Sequence, residues 1–350
     1  MSLKRYIYQI NRQLNQYVVS YSKMKTNKKL LTLTLAFSFI GMTQAEAPSE
    51  LSEDQSKLLS LGKTLVAGDV DTLADTAINL VVEEGVGITE SFLERYFPTV
   101  EISYGAAGGE KPTAGLLIVA PLTDKEDIFN TVFTQVSGFY QDNRTTLNLG
   151  LGYRHITDNK KFLYGINAFY DHEFPYDHGR TSVGVEAMST MWEVRGNKYW
   201  ATTDWKTGRR GNQERAMDGY DLELGIPLPY MNWATIFANH FKWDAFNGVA
   251  DKKGEKYSLR AMFPGALTGL EVEAGRSYYS GSTYSDENFI QVSYNVTELF
   301  KNKKSRKSRW FSDKAYELGS VEDKRFEKVR RTNKIVKQIG TTFAAQVSGI

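Results

Sequence analysis

Between residues 99 and 296 the chain alternates apolar and polar positions with a period of two, the pattern of β-strands. In "DNRTTLNLGLGYRH" (142–155), Leu147, Leu149, Leu151 and Tyr153 fall on one face. Asn148, Gly150, Gly152 and Arg154 fall on the other. The same alternation predicts twelve strands, at 99–106, 113–122, 131–141, 144–155, 162–172, 181–190, 192–201, 218–226, 233–242, 256–263, 268–278 and 288–296. Each is near the ~9–11 residues that a tilted strand needs to cross a bilayer, whereas soluble strands average ~5–6. The number is even, as expected when both ends of a closed antiparallel sheet lie on one side.

The faces decide which side is dry. Val183, Val185 and Ala187 oppose Gly184, Glu186 and Met188; Leu222, Leu224 and Ile226 oppose Asp221, Glu223 and Gly225. Tyr257, Leu259 and Ala261 oppose Ser258 and Arg260, and Leu270, Val272 and Ala274 oppose Glu271, Glu273 and Gly275. Mid-strand charges interleaved with glycine suit a crowded, wet lumen. Asn148, Arg154, Glu186, Glu223, Arg260, Glu271 and Glu273 are therefore expected to face it. Tyr140, Tyr153, Tyr170, Trp192, Trp200, Trp233, Phe263 and Tyr278 sit towards strand ends, like the aromatic girdles of outer-membrane barrels. The odd-to-even connections ("TTDWKTGRRGNQERAMDG", "DAFNGVADKKGE", "SGSTYSDE") are mostly long and polar, and the opposite turns ("TDNKK", "PGAL") short. Asp142-Asn143 and "TDKEDIFN" depart from that rule. The expected fold is all-β: a 12-stranded antiparallel transmembrane β-barrel over 99–296, its leucines facing lipid.

Ahead of the barrel, residues 48–98 read as a short periplasmic helical segment, with Leu58, Leu61, Leu65, Leu73 and Leu80 at roughly helical spacing. Residues 1–47 read as a signal peptide. Lys25, Lys28 and Lys29 precede an apolar run from Leu30 to Met42, and Ala45-Glu46-Ala47 gives an A-x-A cleavage site with Ala45 and Ala47 flanking Glu46. Met24 is an alternative start.

Composition narrows the function. A formal charge of +2 gives no basic excess for nucleic acid, and the chain has no cysteine for a disulfide, thiolate metal site or nucleophile. A mean hydropathy of −0.41 excludes helical membrane spans but not strands, half of whose positions are polar. No G-x-S-x-G, P-loop or H-E-x-x-H motif occurs, so neither enzyme activity nor a cofactor is expected. "YDHEFPYDHG" groups His172 and His178 with Asp171, Glu173 and Asp177, but in an outward loop such residues are usually solvated.

"QDNRTTLNLGLGYRH", "LYGINAFYDHEF" and "GYDLELGIPLP" resemble the translocator barrel of the inverse autotransporters, the intimin and invasin family, over about Phe92 to Lys337. "RFEKVRRTNKIV" (Arg325 to Val336) resembles that family's segment after the last strand, which turns back and threads the pore. The resemblance implies a type V secretion barrel in the bacterial outer membrane that anchors and exports a C-terminal adhesin. Its partners would be outer-membrane lipids, the barrel assembly machinery and periplasmic chaperones, with host-cell or surface ligands for the passenger. The chain as written stops about one linker's length past the last strand. Residues 297–350 are thus expected to be a linker or plug helix without a passenger, and a passenger-free pore or structural barrel is the alternative.

In that tail Arg325, Phe326, Val329, Arg331 and Asn333 are the expected pore residues, with Arg325 and Arg331 meeting Glu186, Glu223, Glu271 or Glu273. "KNKKSRKSR" (301–309) reads as a solvated linker. Lys198 and Arg276 fall on the lipid-facing parity near strand ends, where they would pair with phosphates of lipopolysaccharide. A β-bulge that flips the local register would explain them equally.

Overall fold

The computed structural model describes residues 97–300 and 310–340. Ala45, Ala47, nearly all of the 48–98 segment and the basic run 301–309 lie outside the described residues.

Twelve long strands form the wall: β1 (Thr99–Ala107), β2 (Thr113–Pro121), β3 (Asn130–Gln141), β4 (Arg144–Ile156), β5 (Leu163–Phe174), β6 (His178–Met188) and β7 (Glu193–Ala201), then β10 (Asp218–Leu228), β11 (Met231–Asp244), β12 (Lys252–Met262), β13 (Leu270–Tyr279) and β14 (Glu287–Asn295). Each pairs antiparallel with its neighbours, and β1 closes on β14, Ile102 opposite Tyr294. Closure leaves no unpaired edge, which a sheet surrounded by lipid requires. β8 (Lys206–Thr207) and β9 (Gln213–Ala216) lie in the long connection after β7 and pair, with β15 (Lys337–Ile339), into a small separate sheet.

The wall is apolar outside. Ile166 and Val185 are each 60% exposed, and Leu222, Ile236 and Ile290 face the same way. Their inward neighbours Asn167, Glu186, Glu223 and Thr235 are buried. Of the opening stretch, Leu151 and Tyr153 are exposed and Asn148 and Arg154 buried, so the leucine face is the outer one, although on it Leu149 is half-buried and Leu147 buried.

All twelve expected strands are present, several longer than expected. β6 starts at His178, β11 runs on to Asp244 and β12 starts at Lys252, because ladder pairing continues beyond the apolar belt and satisfies the backbone there. The tight Asp142-Asn143 turn has φ of 50° and 60°, the double left-handed geometry of a two-residue hairpin that Asp and Asn tolerate.

The inward glycines of β4 make room for rings. Gly150 lies opposite Phe169 and Gly152 opposite Phe133, and a Cβ at either would overlap the ring. Gly225 stands in the same relation to Phe237. Each ring lies along the wall and carries a guanidinium: Arg331 over Phe169 at 4.3 Å, Arg154 over Phe133 at 4.6 Å and Arg330 over Phe237 at 4.0 Å.

The end of the barrel where β1 begins and β14 finishes is called proximal here, and the opposite end distal. After the helical turn Thr297–Phe300 the tail reappears at the proximal rim and passes through the lumen to the distal mouth, where β15 pairs with β9. The expected plug helix is not what forms. Among the described residues the tail holds only a 3₁₀ turn, Glu322–Phe326, and β15. Its backbone is taken up by the wall instead: Val329 N donates to Gln135 Oε1 (2.8 Å) and Thr332 N to the Tyr199 hydroxyl (2.8 Å). The Thr332 carbonyl accepts from Arg180 (2.5 Å) and the Asn333 carbonyl from Asn148 (3.0 Å). Bonds to the wall replace the i to i−4 ladder of a helix.

Candidate functional site

The lumen and the tail inside it form one ionic system. The strand period places carboxylates inward on β1, β5, β7, β10 and β13, and the tail brings cations to them. Lys324 reaches Glu193 (2.5 Å), and Lys328 sits between Glu101 (2.7 Å) and Glu271 (2.8 Å). Arg330 spans β10 and β13, bonding Glu223 at 2.6 and 3.0 Å and Glu273 at 2.8 and 3.1 Å. Arg331 turns to β5 and β6, meeting Asp171 at 2.8 and 2.7 Å and Ser182 at 3.0 Å. Adjacent arginines serve different stretches of wall, and the tail backbone bends at Arg331 between them.

The wall holds its own charges in place. Arg154 donates to Glu186 (2.6 Å) and also grips the tail carbonyls of Arg325 (2.9 Å) and Glu327 (2.7 Å). Arg180 bonds Asp171 (2.8 Å), and Arg260 reaches Glu193 (3.4 Å). Val329 closes an apolar cluster with Leu117, Val119, Phe133 and Phe169, against which Phe326 packs. Nearer the proximal end, Val321 completes a second cluster with Ile156, Leu163 and Met188. Buried ion pairs add little net stability over apolar packing, yet losing one partner is costly. Such an array fixes position.

The structure places Asn148, Arg154, Glu186, Glu223, Arg260, Glu271 and Glu273 inward, and Phe326, Val329, Arg331 and Asn333 against them. The pairings differ from those expected. Arg331 takes Asp171, Glu223 and Glu273 belong to Arg330, Glu271 to Lys328, and Glu186 to Arg154 of the wall itself. Arg325 meets no carboxylate of the expected set. It donates to the carbonyls of Lys125 (3.0 Å) and Asp127 (3.1 Å) at the proximal turn after β2. Sequence reasoning also missed Glu101, Asp171 and Arg180, although each stands on the inward parity of its strand.

At the distal mouth Lys334 bonds Glu110 (3.1 Å) and Gln141 (2.9 Å), and Gln338 Oε1 accepts from Phe246 N (2.7 Å). Glu173, His178 and Glu214 converge there. Arg144 bridges Glu173 and Glu214 at 2.7 Å each, and Lys337 joins Glu173, so the carboxylates already have cations. The other members of the "YDHEFPYDHG" group diverge. His172 packs on Phe174 outside, while Asp171 points into the lumen.

Lys198 and Arg276 lie on the outer face, and the register through β7 and β13 is unbroken there, so no bulge accounts for them. Lys198 stands 6.0 Å from the Tyr220 ring centroid, and Arg276 pairs with Asp286 at 3.4 Å.

A family model for inverse autotransporter β-domains matches residues 48–333. The chain belongs to that family. As an inverse autotransporter barrel it is a protein of the bacterial outer membrane. It is 33% identical over 102 residues to an attaching and effacing protein homolog of Escherichia coli (strain K12), a match covering 29% of this chain and 34% of that protein. It is 31% identical over 103 residues to the inverse autotransporter adhesin YeeJ of the same strain, covering 29% of this chain and 4% of that one. These matches span about a third or less of either relative. A chain solved in "Unveiling the Mechanism Behind the in-meso Crystallization of Membrane Proteins" shares the fold, with a TM-score of 0.56 and 20% identity over 70% of this chain and all of the other.

Proposed function

We propose that this inverse autotransporter barrel, its proximal end periplasmic, anchors and exports polypeptide C-terminal to the wall, as an intimin- or invasin-like adhesin does, without enzyme activity. The observation that carries the reading is the tail itself. A polar segment lies through the lumen from one mouth to the other, with Lys328, Arg330 and Arg331 each matched to carboxylates of the wall. A pore for small solutes has no use for such a match; a pore that has passed its own chain does. Arg325, Phe326, Val329, Arg331 and Asn333 act as the segment left in transit, and the barrel assembly machinery and periplasmic chaperones deliver the wall to the membrane.

An epitope tag after Ile350, probed with antibody on intact and permeabilised cells, tests this. Exposure on intact cells is expected; a tag seen only after permeabilisation overturns it. Deleting 310–350 should raise single-channel conductance in planar bilayers, and unchanged conductance counts against the tail as the occupant. On the outer face, Lys198 and Arg276 would meet phosphates of lipopolysaccharide. Equal thermal stability of wild type and K198A/R276A in lipopolysaccharide-containing bilayers refutes that contact.

A further inference from the structure

Before the tail enters the lumen it is strapped along the proximal rim. Ser312 N donates to Tyr230 O (2.8 Å) and Tyr230 N to Ala315 O (3.1 Å), a clasp on the turn between β10 and β11. The Thr190 hydroxyl, in the turn between β6 and β7, donates to Glu317 O (2.6 Å) and accepts from Gly319 N (2.9 Å). Val321 N then donates to Lys160 O (2.9 Å) in the turn between β4 and β5, where Lys160 also pairs with Glu322 (2.9 Å). Three proximal turns are engaged in succession.

The strap carries aromatic side chains that the wall does not cover. Trp310 joins Trp233 and Phe263 in a cluster with centroids 5.4 and 6.3 Å away, and Trp233 Nε1 donates to Trp310 O (2.8 Å). Yet Trp310 remains 43% exposed, Phe311 63%, Tyr316 41% and Tyr230 51%. Leu267, on the same rim, is exposed as well. Lys314 and Glu317 pair with each other (2.7 Å). Contiguous exposed aromatics mark a partner surface. Phe263, beside Trp310, follows β12 on the parity of the outward Leu259, so the cluster adjoins the lipid-facing wall, and Trp and Tyr, apolar in body and polar at one edge, favour a membrane interface.

We infer that residues 310–317 form an interfacial foot, seating Trp310, Phe311 and Tyr316 at the headgroup–acyl boundary of the phospholipid leaflet around the proximal rim. The membrane then holds the base of the tail together with the turns. That this leaflet is phospholipid rests on the proximal end being periplasmic. The test below reads membrane depth in phospholipid vesicles whichever end faces the periplasm, so its failure leaves the export reading standing.

The chain has no cysteine, so Phe311→Cys gives a single nitroxide site in the full-length protein. In vesicles of phosphatidylethanolamine and phosphatidylglycerol, power saturation compares collisions with apolar oxygen and with a water-soluble nickel chelate. Val185→Cys on the lipid-facing wall and Asp204→Cys in the distal connection are the references. An oxygen-to-nickel ratio at 311 at least threefold above that at 204, and towards that at 185, is expected. A ratio equal to that at 204, in a barrel that still migrates as folded without heating, overturns the inference. So does shielding from nickel that arises only when soluble peptidoglycan fragments are added, which assigns the row to glycan. As a check free of the label, dibrominated phosphatidylcholine should quench wild-type tryptophan fluorescence by a larger fraction than that of Trp310→Leu, and equal quenching overturns it too.

Discussion

Replacing Arg330 with methionine isolates the electrostatic part of tail docking. Methionine keeps an apolar contact with the Phe237 ring, over which the guanidinium lies at 4.0 Å, but gives up all four bonds to Glu223 and Glu273. The three side chains are between 6% and 12% exposed, so water cannot take the lost partner's place without opening the lumen. Removing one member of a buried pair costs ~3–5 kcal/mol, which is roughly 10²- to 10³-fold or more in the ratio of docked to undocked tail. Twelve-strand ladders remain, so the loss should fall on the tail and leave the wall intact. Protease cleavage between 321 and 340 in the detergent-solubilised full chain reads the undocked fraction when opening is fast. Heat-modifiable migration on gels verifies that the barrel stays folded. The triple variant R330M/E223Q/E273Q removes the orphaned charges and should regain most of the protection, to within ~1–2 kcal/mol. If R330M is as protected as wild type, or the triple variant as labile as R330M, charge matching does not hold the tail.

Three further outcomes follow from the wall and its loops. Gly152→Val must displace the Phe133 ring from beneath Arg154, so thermal unfolding should show ~1–3 kcal/mol of destabilisation, more than the same change at the open Gly248 turn relative to its own alanine variant. Val185→Arg puts a charge on the lipid-facing side of β6 and should cost ~2–4 kcal/mol in bilayers, with little effect in solution on any water-exposed loop site such as Val249. The hydrogen bond from Arg209, together with the Arg209 and Lys111 charges, holds the carboxyl of Asp142, in the distal hairpin turn, below its ordinary value of 3.8. Because the folded pKa is depressed, this clasp on the connection 202–217 is complete above that value and is lost as pH falls through the lowered one. Proteolysis within 202–217 should therefore rise in acid for wild type, while Asp142→Asn shows that sensitivity at neutral pH.

The wall was legible because lipid and lumen impose opposite demands on alternate residues. Leu222 and Glu223 declare their faces without any tertiary information, whereas β2, with Leu116, Leu117, Ile118 and Val119 in a row and both faces buried, does not. The tight turn at Asp142-Asn143 contradicted the loop-length rule, but the residue types themselves favour the left-handed backbone found there. The tail was legible in composition and not in conformation. Its alternating charges fit a helix with i,i+4 pairs, and only the wall's carboxylates select the non-helical path in which Arg330 and Arg331 part company. Its partners followed the same limit, since parity marks Asp171 and Glu101 as inward without giving their height in the lumen. The strap at 310–319 and the sheet of β8, β9 and β15 rest on contacts between segments far apart in sequence, with no periodicity of their own.

The docking of Arg330 and Arg331 has a consequence for length. A slip of two residues would move both arginines by up to ~6–7 Å, beyond the reach of their ion pairs. The lumen therefore works as a ruler. For this tail the wall sets which residue stands at the distal mouth, where Lys334 meets Glu110 and Gln141.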